Sequence, residues 1–426
     1  MGKMNSSDMT KAVSAHSFRT AGLILILLAS RAIVLEHPTP VHGDETEFTL
    51  ALGFPAAYPV HQPGYPLWVA MGSLLAWCGA PAYAAYQAWS VVCSVVAPWL
   101  LYVGLRREVG DWLAWWVALG LGVCPLMWFM GATALNYSTA SAAVMLVVLA
   151  VRRGMIERRA AFVRWAATGL AFSMLLRPDL LMWVGPLVIT AAWRFKWTER
   201  LIAVGVLLVG TVAVIGVQDW VYGRATSVAE VPQIGHTLDV ILNTSVFRLG
   251  LVDGLVRNGV KLAAIGAWQV GPPVLITLIG CLSFGKGKAA AEDGQRPPAV
   301  EFALVWMLPL GVFLVLVHMT EAGHVLVLIP AVYWLIAHAL ARRCTRRAAT
   351  ALSIVIAAAS AAQFVAYPWS ARSRGFKRTL DAKVAYVSMA GLRSIDEREM
   401  IHTPGDFWRT SAHDSAPAGA SRPASE

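Results

Sequence analysis

The sequence predicts an all-α polytopic membrane protein, and three observations carry that prediction. Of 426 residues, 57% are hydrophobic and 14% charged, with a mean hydropathy of +0.58, whereas soluble domains are about one-quarter charged. Apolar runs recur along most of the chain, many near the ~20 residues that a helix needs to cross the hydrocarbon core. Basic residues collect in the short stretches between those runs, dense in every other one.

Residues Met1 to Phe18 are polar and carry Lys3 and Lys11, and Arg19 leads into the first apolar run, Leu23–Leu35. A secretory signal peptide also has a basic start and an apolar middle. No small-x-small cleavage site follows and Arg31 interrupts the run, so an uncleaved anchor is expected. Further spans are expected near Ala84–Leu105, Trp112–Met130, Thr133–Val151, Phe162–Leu176, Leu180–Trp193, Leu201–Val221, Lys261–Phe284, Glu301–Met319, Gly323–Leu340 and Ala349–Tyr367, about eleven in all. The pair flanking Arg177-Pro178-Asp179 is short and reads as a tilted or broken hairpin. Leu67–Cys78 is apolar but too short to span, which suits an interfacial helix. A transmembrane domain is thus expected over residues 1–367, with outer loops near 36–83 and 222–260. Residues 368–426 are expected as an external tail, Ala/Ser/Pro-rich and disordered from about residue 403.

Loop charge orients the chain. Arg106-Arg107, the cluster Arg152/Arg153/Arg158/Arg159/Arg164 and the cluster Arg342/Arg343/Arg346/Arg347 all fall on the side of the N-terminus. The opposite side holds Arg177, Arg224, Arg248, Arg257 and Lys261 outside the tail. The positive-inside rule then makes the N-terminus cytoplasmic and the first large loop extracytoplasmic; the membrane is expected to be the plasma (inner) membrane. The tail cluster Arg372/Arg374/Lys377/Arg378 departs from the rule, as long tails do. The formal charge of +10 is accounted for by these loops, so no nucleic-acid partner is implied. The five cysteines form no C-x-x-C pair and suggest neither a disulfide nor a zinc framework.

Chemistry concentrates between His42 and Trp68. No Lys or Arg occurs between Arg31 and Arg106, yet this stretch gathers Asp44, Glu45, Glu47, His61 and the turn Pro63-Gly64-Tyr65-Pro66. Asp44 and Glu47 share one face if a helix begins there. The same Asp-x-x-Glu ahead of an apolar run also matches a helix capping box. A carboxylate beside an apolar face has its pKa raised by desolvation, which suits a general base. His61 and Tyr65 are candidate substrate contacts, and ordering the loop explains them equally. Arg31 is either a partner for a lipid phosphate or for Asp44 or a side chain snorkelling to the head groups. Arg177 pairs with Asp179 at a hairpin tip or lines the site, and His324, in Glu321-Ala322-Gly323-His324, sits at another outward hairpin. Arg224, Arg248, Arg257 and Lys261 make the second outer loop basic, which attracts phosphate or pyrophosphate.

The run Gly43-Asp44-x-x-Glu47-Phe48 followed by His61-x-Pro63-Gly64-Tyr65-Pro66-Leu67 resembles a signature of GT-C class membrane glycosyltransferases. It is most similar to the branch reading G-D-x-x-E-F and then H-P-P-G-Y-P-L in the first outer loop. Gln62 stands where that branch has proline. The adjacent Asp44-Glu45 is also similar to the Asp-Glu pair of protein O-mannosyltransferases and lipid A aminoarabinose transferases. The resemblance implies a GT-C-like bundle with interfacial helices in the first outer loop. It further implies inverting transfer of a hexosyl or pentosyl unit from a polyprenyl-phosphate donor to a protein, lipid or glycan acceptor, with Asp44 as base. No cofactor is required by it; some class members bind a divalent metal, and no ligand spacing here decides that. A multi-spanning transporter or lipid-linked-sugar flippase is the competing class, usually marked by repeats and midplane charge, whereas the polar residues here gather in one outer loop.

Overall fold

The structure, a computed structural model, describes residues 6–32, 48–49, 52, 65–222, 245–271, 274–277, 279, 299–317 and 322–366. Among the described residues all regular structure is helical. In chain order the helices are α1 (Ser6–Ala32), α2 (Pro66–Trp77), α3 (Ala82–Val109), α4 (Asp111–Gly122), α5 (Pro125–Met130), α6 (Tyr137–Glu157), α7 (Ala160–Ser173), α8 (Leu180–Ala192) and α9 (Trp197–Tyr222). After residue 244 follow α10 (Val246–Leu249), α11 (Leu251–Ile265, continued by a π-helical turn over Gly266–Val270), α12 (Ala299–Leu316), α13 (Ala322–Val325), α14 (Ile329–Arg343) and α15 (Arg346–Ala366). Among the described residues four stretches are long and apolar enough to cross a membrane: Ala82–Val109, Tyr137–Glu157, Trp197–Val217 and Arg346–Val365. Helix α9 turns Leu208, Val209, Val212 and Ile215 outward, the surface that a lipid-facing helix presents.

Helix α3 is the hub, packed against α1, α2, α4, α5, α6 and α14. Its polar residues Gln87, Ser90 and Ser94 recur at helical spacing and are all buried, so the polar stripe faces protein. They satisfy backbone that helices cannot. Residues 131–136, between α5 and α6, are non-helical, and inside a bilayer their carbonyls have no water to turn to. The Gln87 amide donates to the Ala132 carbonyl at 2.8 Å, and the Ser90 hydroxyl to the Leu135 carbonyl at 2.8 Å.

Among the described residues three expected spans are broken. Trp112–Met130 divides into α4 and α5 at Val123–Cys124, because Pro125 lacks an N–H and holds Cys124 in an extended conformation (φ −56, ψ 131). Lys261–Phe284 is interrupted at Gly271 (φ 104). Gly323–Leu340 divides into α13 and α14. Leu67–Cys78 is helical as expected, over Pro66–Trp77. The expected tail beyond residue 367 lies outside the described residues.

Arg31 explains how the first break is tolerated. It does not snorkel: its relative exposure is 0%. Its Nη2 donates to the carbonyl of Gly122, the last residue of α4, at 2.7 Å, and to the Ser94 carbonyl at a longer 3.5 Å. Ser94 lies four residues before Pro98, whose missing N–H leaves that carbonyl without its helical donor. The remaining bonds go to the Ser94 and Ser30 hydroxyls, at 3.1 and 2.8 Å. Arg31 therefore clamps α1, α3 and the end of α4, where the negative end of the α4 dipole favours its charge. Replacement by Leu orphans the Gly122 carbonyl, at a cost of about 1–3 kcal/mol, and the heat-denaturation midpoint in detergent is expected to fall. Arg31→Lys, whose ammonium is a single point charge, should fall between. Unchanged stability with weakened donor binding would return Arg31 to the phosphate role.

Candidate functional site

The site is built from the start of α2, the α7–α8 hairpin tip, the irregular segment before α6, and α13. Tyr65 precedes Pro66 at the N-terminus of α2 with φ 43 and ψ 58. A left-handed backbone in an aromatic residue is strained and persists only where its surroundings enforce it. One such restraint is the Leu67 amide, which donates to the Leu175 carbonyl of the hairpin tip at 3.0 Å. Behind Tyr65, Trp68 stacks on Tyr86 with ring centroids 5.0 Å apart. Phe48 completes the group, its ring 5.8 Å from Tyr65, 5.8 Å from Tyr86 and 6.3 Å from Trp68. The close approach of α2 to α3 requires Gly72, where a Cβ would lie 2.3 Å from the Tyr86 ring.

At the hairpin tip, Arg177 is buried and forks onto the Asp179 carboxylate, with Nε to Oδ1 at 3.2 Å and Nη2 to Oδ2 at 2.6 Å. Its Nη1 reaches Asn136 Oδ1 at 3.4 Å. Three aromatic rings surround the guanidinium: Tyr137 at 4.7 Å, Trp183 at 5.5 Å and Tyr65 at 5.8 Å from Cζ. Such contacts stabilise a desolvated cation. The His324 ring stands 5.7 Å from Tyr137 and 5.8 Å from Trp183.

Of the residues singled out in the sequence, Arg177 and His324 are thus gathered around Tyr137 and Trp183, and Tyr65 joins them through Arg177. Asp44, Glu45, Glu47 and His61 lie outside the described residues. Arg31 is spent on the carbonyl clamp. Sequence reasoning missed Asn136, Tyr137 and Trp183, which lie within apolar runs. The one signal was an amide embedded in Leu135-Asn136-Tyr137-Ser138-Thr139, a polar interruption of a hydrophobic stretch. Among the described residues no group of three His, Cys, Asp or Glu side chains could hold a metal ion.

Gly323 seats this corner: a Cβ there would fall 2.4 Å from the Tyr137 ring. Gly323→Ala is expected to lower the denaturation midpoint by displacing Tyr137, an overpacking cost of about 1–3 kcal/mol. Gly205→Ala, in α9 with nothing within 4 Å of the new methyl, serves as the control and should hold or raise it.

At the opposite end of α3, Arg152 forks onto Glu108 at 3.0 and 2.7 Å, and His338 Nε2 lies 3.3 Å from the same carboxylate. This buried cluster ties α3, α6 and α14 together near the Arg-rich loops.

Helices broken within the apolar layer, a short helix docked on a hairpin tip and lipid-facing outer helices define an all-α polytopic membrane fold. Two solved structures of ArnT from Cupriavidus metallidurans, a GT-C glycosyltransferase, are similar to it. Apo ArnT matches with a TM-score of 0.53 at 13% identity, over 78% of this chain and 61% of that one. ArnT bound to undecaprenyl phosphate matches with a TM-score of 0.54 at 15% identity, over 88% and 71%. The likeness is one of fold, and the chain spans about 61% of the apo ArnT chain. No protein-family model and no curated protein matches the chain.

Proposed function

We propose that this chain is a membrane glycosyltransferase that moves a sugar from a polyprenyl-phosphate donor to an acceptor at the extracytoplasmic face of the plasma (inner) membrane. One observation carries the reading: a GT-C-like fold in which Phe48 and Tyr65, from the two halves of the loop motif, meet beside Arg177, whose neighbouring rings Tyr137 and Trp183 also contact His324. The structure bound to undecaprenyl phosphate, a polyprenyl phosphate, has the same fold. Phe48 directly follows Glu47 in the chain and Tyr65 directly follows Gly64.

In the proposed reaction the Asp44 carboxylate removes the acceptor's hydroxyl proton as its oxygen attacks the anomeric carbon. The bond from that carbon to the phosphate oxygen breaks, and polyprenyl phosphate leaves with the electron pair, so the configuration inverts. Glu45 and Glu47 support the loop or share the base role. Arg31 is left out, because the protein's own carbonyls and hydroxyls take up its guanidinium. Charge for the departing phosphate comes from α11. Arg257, Asn258 and Lys261 lie on its inward side, with Asn258 and Lys261 buried, while Leu251, Val252, Val256 and Val260 face outward. Fixed cations aimed at developing negative charge are an effective source of catalysis.

Lipid extracts of a strain lacking the protein are expected to accumulate a polyprenyl-phosphate sugar. An unchanged lipid profile, with movement of lipid-linked sugar by the reconstituted protein, would favour the flippase class instead. Orientation is tested separately with single cysteines at Thr46 and Ala160 in a cysteine-free background. A membrane-impermeant maleimide is expected to label the Thr46 site and spare the Ala160 site in intact cells. The reverse pattern would place the motif on the cytoplasmic side and sink the proposed reaction face.

A further inference from the structure

The glycosyltransferase reading leaves open which part of the donor meets the Arg177 corner; the inference below rests on that reading. A buried arginine suggests a phosphate, but the surroundings argue otherwise. Asp179, two residues away, takes both forks of the guanidinium, so an incoming phosphate would have to displace a carboxylate fixed to the same turn. The pair is electrically neutral as it stands. Among the described residues, two donors beside it have no hydrogen-bond partner: the amide nitrogen Nδ2 of Asn136 and the indole nitrogen Nε1 of Trp183. Both side chains are nearly fully enclosed, at 3% and 2% exposure. Native proteins leave few such groups, and each calls for an explanation. The outer edge carries an acceptor, the Asp179 carboxylate, whose side chain is 29% exposed. Tyr65, Tyr137 and Trp183 add flat apolar faces.

Donors, an acceptor and aromatic faces with no net charge match a neutral sugar ring. Its hydroxyl oxygens accept hydrogen bonds, its hydroxyl protons donate them, and its C–H face is apolar. A phosphate offers acceptors and charge alone. We propose that Asn136, Trp183 and Asp179 form the subsite for the sugar of the donor, with its phosphate held elsewhere. Tyr65, half-buried at the edge of the cage, is the side chain that moves to admit the ring.

The test uses the full chain in lipid nanodiscs with two probes, undecaprenyl phosphate and a panel of neutral octyl glycosides below their micellar concentrations. Wild type is expected to bind both. Trp183→Phe, which keeps a ring and deletes only the indole N–H, should weaken the best glycoside about tenfold, the equivalent of one lost hydrogen bond, and leave undecaprenyl phosphate within about twofold. Asn136→Leu should act in the same direction. Because each variant removes an unpartnered donor, ligand-free stability should hold or rise for Trp183→Phe; a fall in stability that accounts for the lost binding would reduce the residue to packing. Weakened undecaprenyl phosphate with unchanged glycoside would make the corner a phosphate site and overturn the proposal. Wild type that binds undecaprenyl phosphate but no glycoside also overturns it, while the glycosyltransferase reading stands. Wild type that binds glycosides but no undecaprenyl phosphate defeats that reading and leaves the sugar subsite in place.

Discussion

In Asp44→Asn, sugar transfer by the reconstituted protein is expected to fall by about 10²–10⁴, the usual loss when a positioned general base is removed. Asn caps a helix about as well as Asp, so insertion and heat stability should be close to wild type. That contrast separates the two explanations of the Asp-x-x-Glu pattern. A capping residue would tolerate Asn in both measurements, whereas a base would lose rate alone. Glu47→Gln can still complete a capping box and should be milder if Glu47 only supports the loop. Glu45→Gln tests the neighbouring carboxylate by the same logic, and a larger loss there would move the base by one residue. Near-normal turnover in Asp44→Asn would end its assignment as the base.

The fold class was legible in the sequence because bilayer crossing is a crude constraint: apolar length and loop charge alone announce it. Helix continuity was not legible from hydropathy. Trp112–Met130 is uniformly apolar, so the break between α4 and α5 shows only in Pro125, and its tolerance depends on a donor ninety-one residues away in sequence, Arg31 to the Gly122 carbonyl. The sequence offered a lipid phosphate, Asp44 or the head groups as Arg31's partners. None of these readings anticipated carbonyls released by a helix end and by Pro98, since such partners carry no residue signature. The same holds for the site. Tyr65, Arg177 and His324 stood out as polar or turn residues at the ends of apolar runs, but the Tyr137 and Trp183 rings that join them are indistinguishable in sequence from lipid-facing aromatics. The convergence comes from packing among α2, α6, α8 and α13.

Arg177 and Asp179 supply the second large effect, and its sign depends on which partner is removed. Asp179→Asn removes the counter-charge of a nearly inaccessible guanidinium, leaving it a neutral amide oxygen at position 179, one long contact to Asn136 Oδ1 at 3.4 Å and the faces of three rings. Breaking a buried ion pair from one side commonly costs about 3–5 kcal/mol. With the Asp179 side chain 29% exposed, water offsets part of the loss, so the lower end, about 3 kcal/mol, is expected. Arg177→Met removes the buried charge and leaves the carboxylate at the accessible edge, so it should cost less. The double variant Arg177→Met/Asp179→Asn contains no uncompensated charge and should recover much of the stability lost in Asp179→Asn, because apolar replacements of buried pairs are often neutral. Denaturation midpoints of the four proteins give the coupling directly. Additive losses would mean that the pair contributes nothing as a pair. Activity then separates scaffold from site. A double variant that regains stability and transfers sugar normally makes the pair a hairpin staple; one that regains stability but has lost glycoside binding places the Asp179 carboxylate on the substrate.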